Sequence, residues 1–142
     1  MGQHAQPNID WDALRSTALA AAQRAYAPYS GFSVGAAGLC DDRRIVVGAN
    51  VENASYGLTL CAETVLVGAL RMGGDGRLLA VTVVGNGTPV TPCGRCRQVL
   101  WEFGGPTCLI DIDGAPTALA ELLPHAFPDS STFGSRQGPQ TA

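Results

Sequence analysis

Two short segments must meet in any fold this chain adopts: Cys61-Ala62-Glu63 and Pro92-Cys93-Gly94-Arg95-Cys96. Three cysteines and one glutamate in this pattern read as a metal site. Zinc holds thiolates tetrahedrally, and a site with three protein ligands keeps its fourth position for water or substrate. Glu63, two residues after the first cysteine, is then the proton carrier. A structural knot is the rival, and it closes the tetrahedron with a fourth Cys or His. Cys40, Cys108, His4 and His125 are the candidates for that place, and none has the usual close spacing. A redox role for Cys93-x-x-Cys96 would leave Cys61 and Glu63 without a purpose.

The surroundings favour the metal reading. Five cysteines is an odd number for a disulfide framework. Cys40 and Cys108 end β-like runs and are expected as small buried hydrophobes. Apolar residues make up 46% of the 142 and charged residues only 15%, against about 25% charged in typical soluble domains. Such a chain struggles to cover itself with solvated surface, so a homo-oligomer is expected; an alanine- and glycine-rich monomer is the alternative. A net charge of −3 without a basic stripe disfavours nucleic acid as a partner. The absence of a long apolar run or leader points away from membranes and to a cytoplasmic protein.

Hydrophobic spacing gives the elements. Trp11, Leu14, Ala18, Ala21, Ala22 and Ala25 mark one face of a helix ended by Pro28 and Gly31. Residues 32–40 and 45–49 read as strands joined by a turn at 41–44, an antiparallel hairpin. A polar loop, 50–57, leads to Cys61. Residues 61–72 form a helix apolar almost all round, so buried on most faces. Residues 78–84 suit a central strand covered on both sides, with a loop at 85–87. Thr91 as cap and Pro92 at the first helical position start a further helix. A strand at 107–112, a turn, a short return strand and a helix at 119–123 complete one domain, 9–128. Residues 1–8 and 129–142 read as flexible tails. The expected architecture is α/β: a mixed sheet sandwiched by helices.

Both cysteine segments sit at helix starts, where the backbone carries roughly half a positive charge. Three thiolates and Zn²⁺ sum to −1, which opposes ionisation of a bound water. The helix ends, with Arg97 nearby, offset that charge. Within a regular helix Glu63 would point about 200° away from Cys61, so an irregular helix start is required for both to face one site.

The chain resembles the short, homotetrameric cytidine deaminases. The likeness runs from about residue 11 to 127 and rests on Pro28-Tyr29-Ser30-Gly31-Phe32-Ser33-Val34-Gly35-Ala36-Ala37 and Asn50-Val51-Glu52-Asn53-Ala54-Ser55-Tyr56-Gly57. It continues through Cys61-Ala62-Glu63, Pro92-Cys93-Gly94-Arg95-Cys96-Arg97-Gln98 and Leu122-Leu123-Pro124-His125-Ala126-Phe127. A neighbouring glutamate followed by Pro-Cys-x-x-Cys is the known signature of zinc deaminases. The resemblance implies a three-layer α/β/α fold on a mixed five-stranded sheet, with one zinc per subunit on Cys61, Cys93 and Cys96. It implies hydrolytic deamination of cytidine and deoxycytidine, with Glu63 passing protons to N3 and the departing amine. It further implies that Asn50 and Glu52 hold the ribose and Phe32 packs against the nucleoside. The Ala62 amide and Thr91 carbonyl would frame the base. Tyr56 and Phe127 would complete a neighbour's site in a homotetramer. Where many members carry arginine after the glutamate, this chain has Thr64; Arg95 or Arg97 is expected to take over its charge-balancing task.

Overall fold

A computed structural model describes residues 8–128. The expected tails lie outside the described residues, Asn8 excepted, and so does His4.

Helix α1 (Trp11–Ala22) starts where Asp10 accepts a 3.0 Å hydrogen bond from the Ala13 amide, as an N-cap should. It stops short of Pro28: the Tyr26 amide donates to the Asn50 carbonyl, and the Tyr26 carbonyl accepts from the Glu52 amide. The chain leaves the helix to bridge the polar loop. Strands β1 (Val34–Cys40) and β2 (Ile45–Ala49) form the expected antiparallel hairpin, with Gly35 opposite Ala49 and Leu39 opposite Ile45. Helix α2 (Ala62–Gly73) follows, then β3 (Leu78–Gly85). Asn86 and Gly87 both have positive φ, 45° and 85°. They make the tight turn that Asn-Gly favours, returning the chain as β4 (Thr88–Pro89) beside β3. The expected loop is therefore a hairpin, and the sheet has a sixth, two-residue strand.

Helix α3 (Gly94–Gly104) carries the chain to β5 (Leu109–Ile112), which pairs parallel to β3. A parallel neighbour requires such a crossover. Strand β6 (Ala115–Ala118) turns back antiparallel, and the short α4 (Leu119–Leu122) ends the regular structure. The main strand order is β2-β1-β3-β5-β6.

The core lies in two parts. Ala36, Val81 and Val83 join Leu66, Leu70, Leu100 and Ile110 in one cluster, while Ala37, Ala80 and Val84 join Leu14 and Ala18 in the other. Adjacent strand residues point to opposite faces, so α1 covers one face and α2 with α3 the other. Burying a leucine such as Leu66 or Leu70 contributes about 1.5–3 kcal/mol. Two glycines set how close the helices come. A Cβ on Gly35 would lie 2.0 Å from the Ala18 carbonyl oxygen of α1, and one on Gly48 would lie 2.2 Å from the Ala62 carbonyl oxygen of α2. Helix α2 departs from the sequence expectation. Leu66, Val67 and Leu70 are buried, but Gly68, Ala69 and Met72 are exposed, Met72 at 89%. Its outer face is apolar without being covered by its own chain.

Candidate metal centre

The loop after β2 and the short segment after β4 deliver the chain to two helix starts. Cys61 caps α2 in extended backbone (φ −68°, ψ 154°), and Cys93 caps α3 in nearly the same conformation (φ −64°, ψ 166°). The helix after Cys93 begins later than Thr91-Pro92 suggested. The Pro92 carbonyl accepts from Arg97 Nε at 2.9 Å, so the backbone ladder opens one residue on, with the Arg97 amide donating to the Cys93 carbonyl. Neither cap side chain makes a cap hydrogen bond. Both sulfurs are thereby left to meet the fully buried Cys96, and the three Sγ atoms lie within 4.8 Å of one another.

This donor set fits zinc. Zn–S bonds of about 2.3 Å at tetrahedral angles place sulfurs about 3.8 Å apart, within small adjustment of the spacing found. The thiols also act on one another. Burial pushes Cys61 and Cys96 up; Cys93, although burial opposes it, is held down by the Cys96 amide and the neighbouring thiols. Three thiols so close cannot all ionise without a cation among them.

Glu63, in the first turn of α2, is 4% exposed. Burial pushes its carboxyl up, opposed by its own amide and the Cys96 thiol. Because Cys61 stands outside the helix in extended backbone, the 200° separation of regular helical residues does not apply. Glu63 and the sulfurs face one site.

The loop residues form a bracket, tied to the approach to Cys61 by the pairing of Val51 with Leu60. Asn50 is buried; its Oδ1 accepts from the Val34 amide at 2.9 Å and its Nδ2 donates to the Phe32 carbonyl at 2.8 Å. Glu52 accepts from the Tyr29 and Ser30 amides, each at 3.0 Å, and from the Ser30 hydroxyl. The Ser30 bonds foremost hold its carboxyl below the usual range. Both side chains thus pin residues 29–34 to the loop, and the Phe32 ring lies over Gly85, where a Cβ would be 2.6 Å from it. Ala62 is fully buried and Thr91 exposed. Tyr56 is 75% exposed, with its ring edge-on to Tyr29 at 6.0 Å between centroids.

Arg95 is exposed, and Arg97 spends its guanidinium on the Pro92 carbonyl and, at 2.8 Å, the Leu122 carbonyl. The Thr64 hydroxyl oxygen is buried without a hydrogen-bond partner among the described residues. Ser30 and Gln98, which bonds the Phe127 backbone, were not singled out by sequence reasoning. Both stand inside the resembling segments, but only the fold reveals what they hold. Cys40 and Cys108 are buried as expected, and burial pushes the Cys108 thiol up to about 12.

The model of the cytidine and deoxycytidylate deaminase zinc-binding region matches residues 10–111. A cytidine deaminase of Mycobacterium tuberculosis is 58% identical over 122 residues, covering 85% of this chain and 92% of the relative. One from Halalkalibacterium halodurans is 41% identical over 125 residues, covering 84% and 95%. The crystal structure of cytidine deaminase from M. tuberculosis superposes with a TM-score of 0.83 at 57% identity, covering 84% of this chain and 98% of that one. With its three sulfurs gathered at two helix caps and a family match across most of its length, the chain belongs to the zinc-binding cytidine and deoxycytidylate deaminase family.

Proposed function

We propose that this protein is a zinc-dependent hydrolase that converts cytidine and deoxycytidine to uridine and deoxyuridine with release of ammonia, in pyrimidine salvage. The observation that carries this reading is a buried carboxyl, Glu63, beside three convergent cysteine sulfurs. Cys61, Cys93 and Cys96 would hold the ion. When bound, zinc supplies Lewis-acid activation of the water that attacks C4 of the cytosine ring.

The remaining steps belong to the side chains. Glu63 takes a proton from the attacking water and gives it to N3. It then takes the remaining proton from the new C4 hydroxyl and gives it to the amine, which leaves as ammonia as the C4–N bond breaks and the C4 carbonyl forms. Its raised pKa supports this traffic, since an acid–base group works best near the operating pH. The Ala62 amide, at the open start of α2, and the Thr91 carbonyl frame the base. Asn50 and Glu52 hold the ribose, and Phe32 packs against the nucleoside. Arg95 and Arg97 balance the thiolate charge in a chain that carries Thr64 after the glutamate. The functional unit is one domain, 9–128, working as a cytoplasmic homotetramer in which Tyr56 and Phe127 complete a neighbouring site. Support for assembly comes from the exposed rings of Tyr56 and Phe127 and the uncovered outer face of α2. A net charge of −3 favours a small substrate over a polymer. Among the described residues no helix is long and apolar enough to cross a membrane.

The test follows the ultraviolet change of cytidine, deoxycytidine, cytosine and single-stranded DNA with purified, zinc-loaded protein. Turnover confined to the two nucleosides is expected. Zinc bound with turnover of none would make the protein a zinc-stabilised binder instead. Repeating the nucleoside assay across pH with Arg95→Ala and Arg97→Ala tests the charge-balancing role, which is dropped if neither variant moves the profile.

A further inference from the structure

The segment after α4 holds a phenylalanine out in the open and yet ties down its backbone. Phe127 is 65% exposed, and residues 123–128 contain neither helix nor strand. His125, a non-glycine residue at φ 58°, turns the chain within it. Two consecutive side chains of α3 fasten the segment. Arg97 Nη1 donates to the Leu122 carbonyl at the segment's start. At its far end Gln98 Nε2 donates to the Phe127 carbonyl, and Gln98 Oε1 accepts from the Phe127 amide at 3.3 Å. A glutamine amide carries the donor and acceptor of a peptide group. Gln98 therefore pairs with Phe127 as a neighbouring strand would, supplying the ladder that an irregular segment lacks.

Bonding both polar groups of an exposed residue's backbone fixes the point and direction at which its side chain leaves the chain. We infer that Gln98 is a positioning residue: by clasping the Phe127 backbone to α3, it sets where the exposed Phe127 ring projects from the subunit, for use against the nucleoside of the neighbouring site. This rests on the deaminase reading and assigns Gln98 a part in it. An apolar ring pressed on substrate acts on binding more than on chemistry, so its misplacement raises KM with kcat little changed. The Arg97 bond at the segment's other end belongs to the same clasp.

The experiment measures kcat and KM for cytidine, with zinc content, in wild type, Gln98→Met, Gln98→Glu, Phe127→Ala and the Gln98→Met/Phe127→Ala double variant. Methionine keeps the size and loses both bonds; glutamate keeps the acceptor for the Phe127 amide. Loss of two hydrogen bonds is expected to raise KM about tenfold in Gln98→Met. Gln98→Glu is expected to fall between it and wild type, with zinc at one per chain in both. In the Phe127→Ala background the methionine substitution is expected to add less than about twofold, because the two residues act as one unit. The inference is overturned if Gln98→Met leaves KM unchanged, if its full effect persists without the Phe127 ring, or if it lowers kcat or zinc content instead. Should Gln98→Met fail to fold, Gln98→Glu decides by the same split. Wild-type protein that turns over no nucleoside overturns the deaminase reading as well, an outcome distinct from failure of the clasp, which leaves wild-type turnover intact.

Discussion

Glu63 and Asp111 are both buried carboxylates, on opposite faces of one sheet, and their surroundings drive them in opposite directions. Asp111, in β5, is 1% exposed. Burial alone would push its carboxyl up. Arg15 of α1 outweighs that with Nε at 2.6 Å and Nη2 at 3.2 Å, joined by the Thr82 hydroxyl and the Gly114 amide, each at 3.0 Å, and the carboxyl is held below its usual range. Burial wins at Glu63, where the opposing groups are its own amide and a thiol. A saturated carboxylate fastens α1 to the sheet; an unsaturated one keeps its proton negotiable. The difference separates a side of the molecule built for cohesion from a side built for chemistry.

The sharpest way to break this contrast is to neutralise each carboxylate in turn. Glu63→Gln is expected to lower kcat by about 10²–10⁴-fold, the range of acid–base contributions, with zinc and melting temperature retained, as steady-state kinetics and metal analysis would show. Asp111→Asn should do the reverse. Removing the charge and turning the oxygen shared by Arg15 Nε and the Thr82 hydroxyl into an amide donor is expected to cost about 3 kcal/mol of stability, read by denaturant titration, with kcat of the folded fraction unchanged.

Proton linkage sharpens the same comparison. The folded Asp111 pKa lies below the unfolded value of about 3.9, so its stabilisation is complete above that value. It is lost as pH falls through the folded pKa. Wild-type stability should therefore drop more steeply below about pH 4 than that of Asp111→Asn, and parallel acid limbs would refute the assignment.

The smallest expected effects come from the paired glycines. Gly35→Ala and Gly48→Ala each force a Cβ against a helix backbone, at about 1–3 kcal/mol. Gly48→Ala displaces the start of α2 and should lower kcat/KM at least about tenfold, an ångström-scale misplacement near the chemistry being enough. Gly35→Ala displaces α1 and should leave kcat/KM per folded molecule as it was. Equal activity losses would show that the two faces are not independent.

Much of the chemical side was legible in the sequence, because metal ligation has a spacing signature and Cys61, Cys93 and Cys96 carry it. The β1–β2 hairpin and the buried β3 were legible from alternation and a branched run. The cohesive side was not. Arg15 and Asp111 are 96 residues apart, and an ion pair leaves no periodic mark. Backbone preference starts α3 at Thr91-Pro92, but the Arg97 side chain takes the Pro92 carbonyl and Cys93 becomes the cap. The Asn86-Gly87 turn carried its own signal, but a two-residue strand containing Pro89 gave too little pattern to accompany it. Apolarity around α2 predicts self-burial, but Ala69 and Met72 face outward.

Cys61 and Cys93 occupy the place where serine, threonine or aspartate ordinarily tie down the first amides of a helix, and neither side chain does so. The start of each helix is therefore secured by whatever secures the sulfur. An ion gripped there doubles as a rivet for two helices at once, and stripping it with a chelator loosens both ends together. Amide exchange in the opening turns of α2 and α3 would then serve as a gauge of metal loading, readable without any substrate.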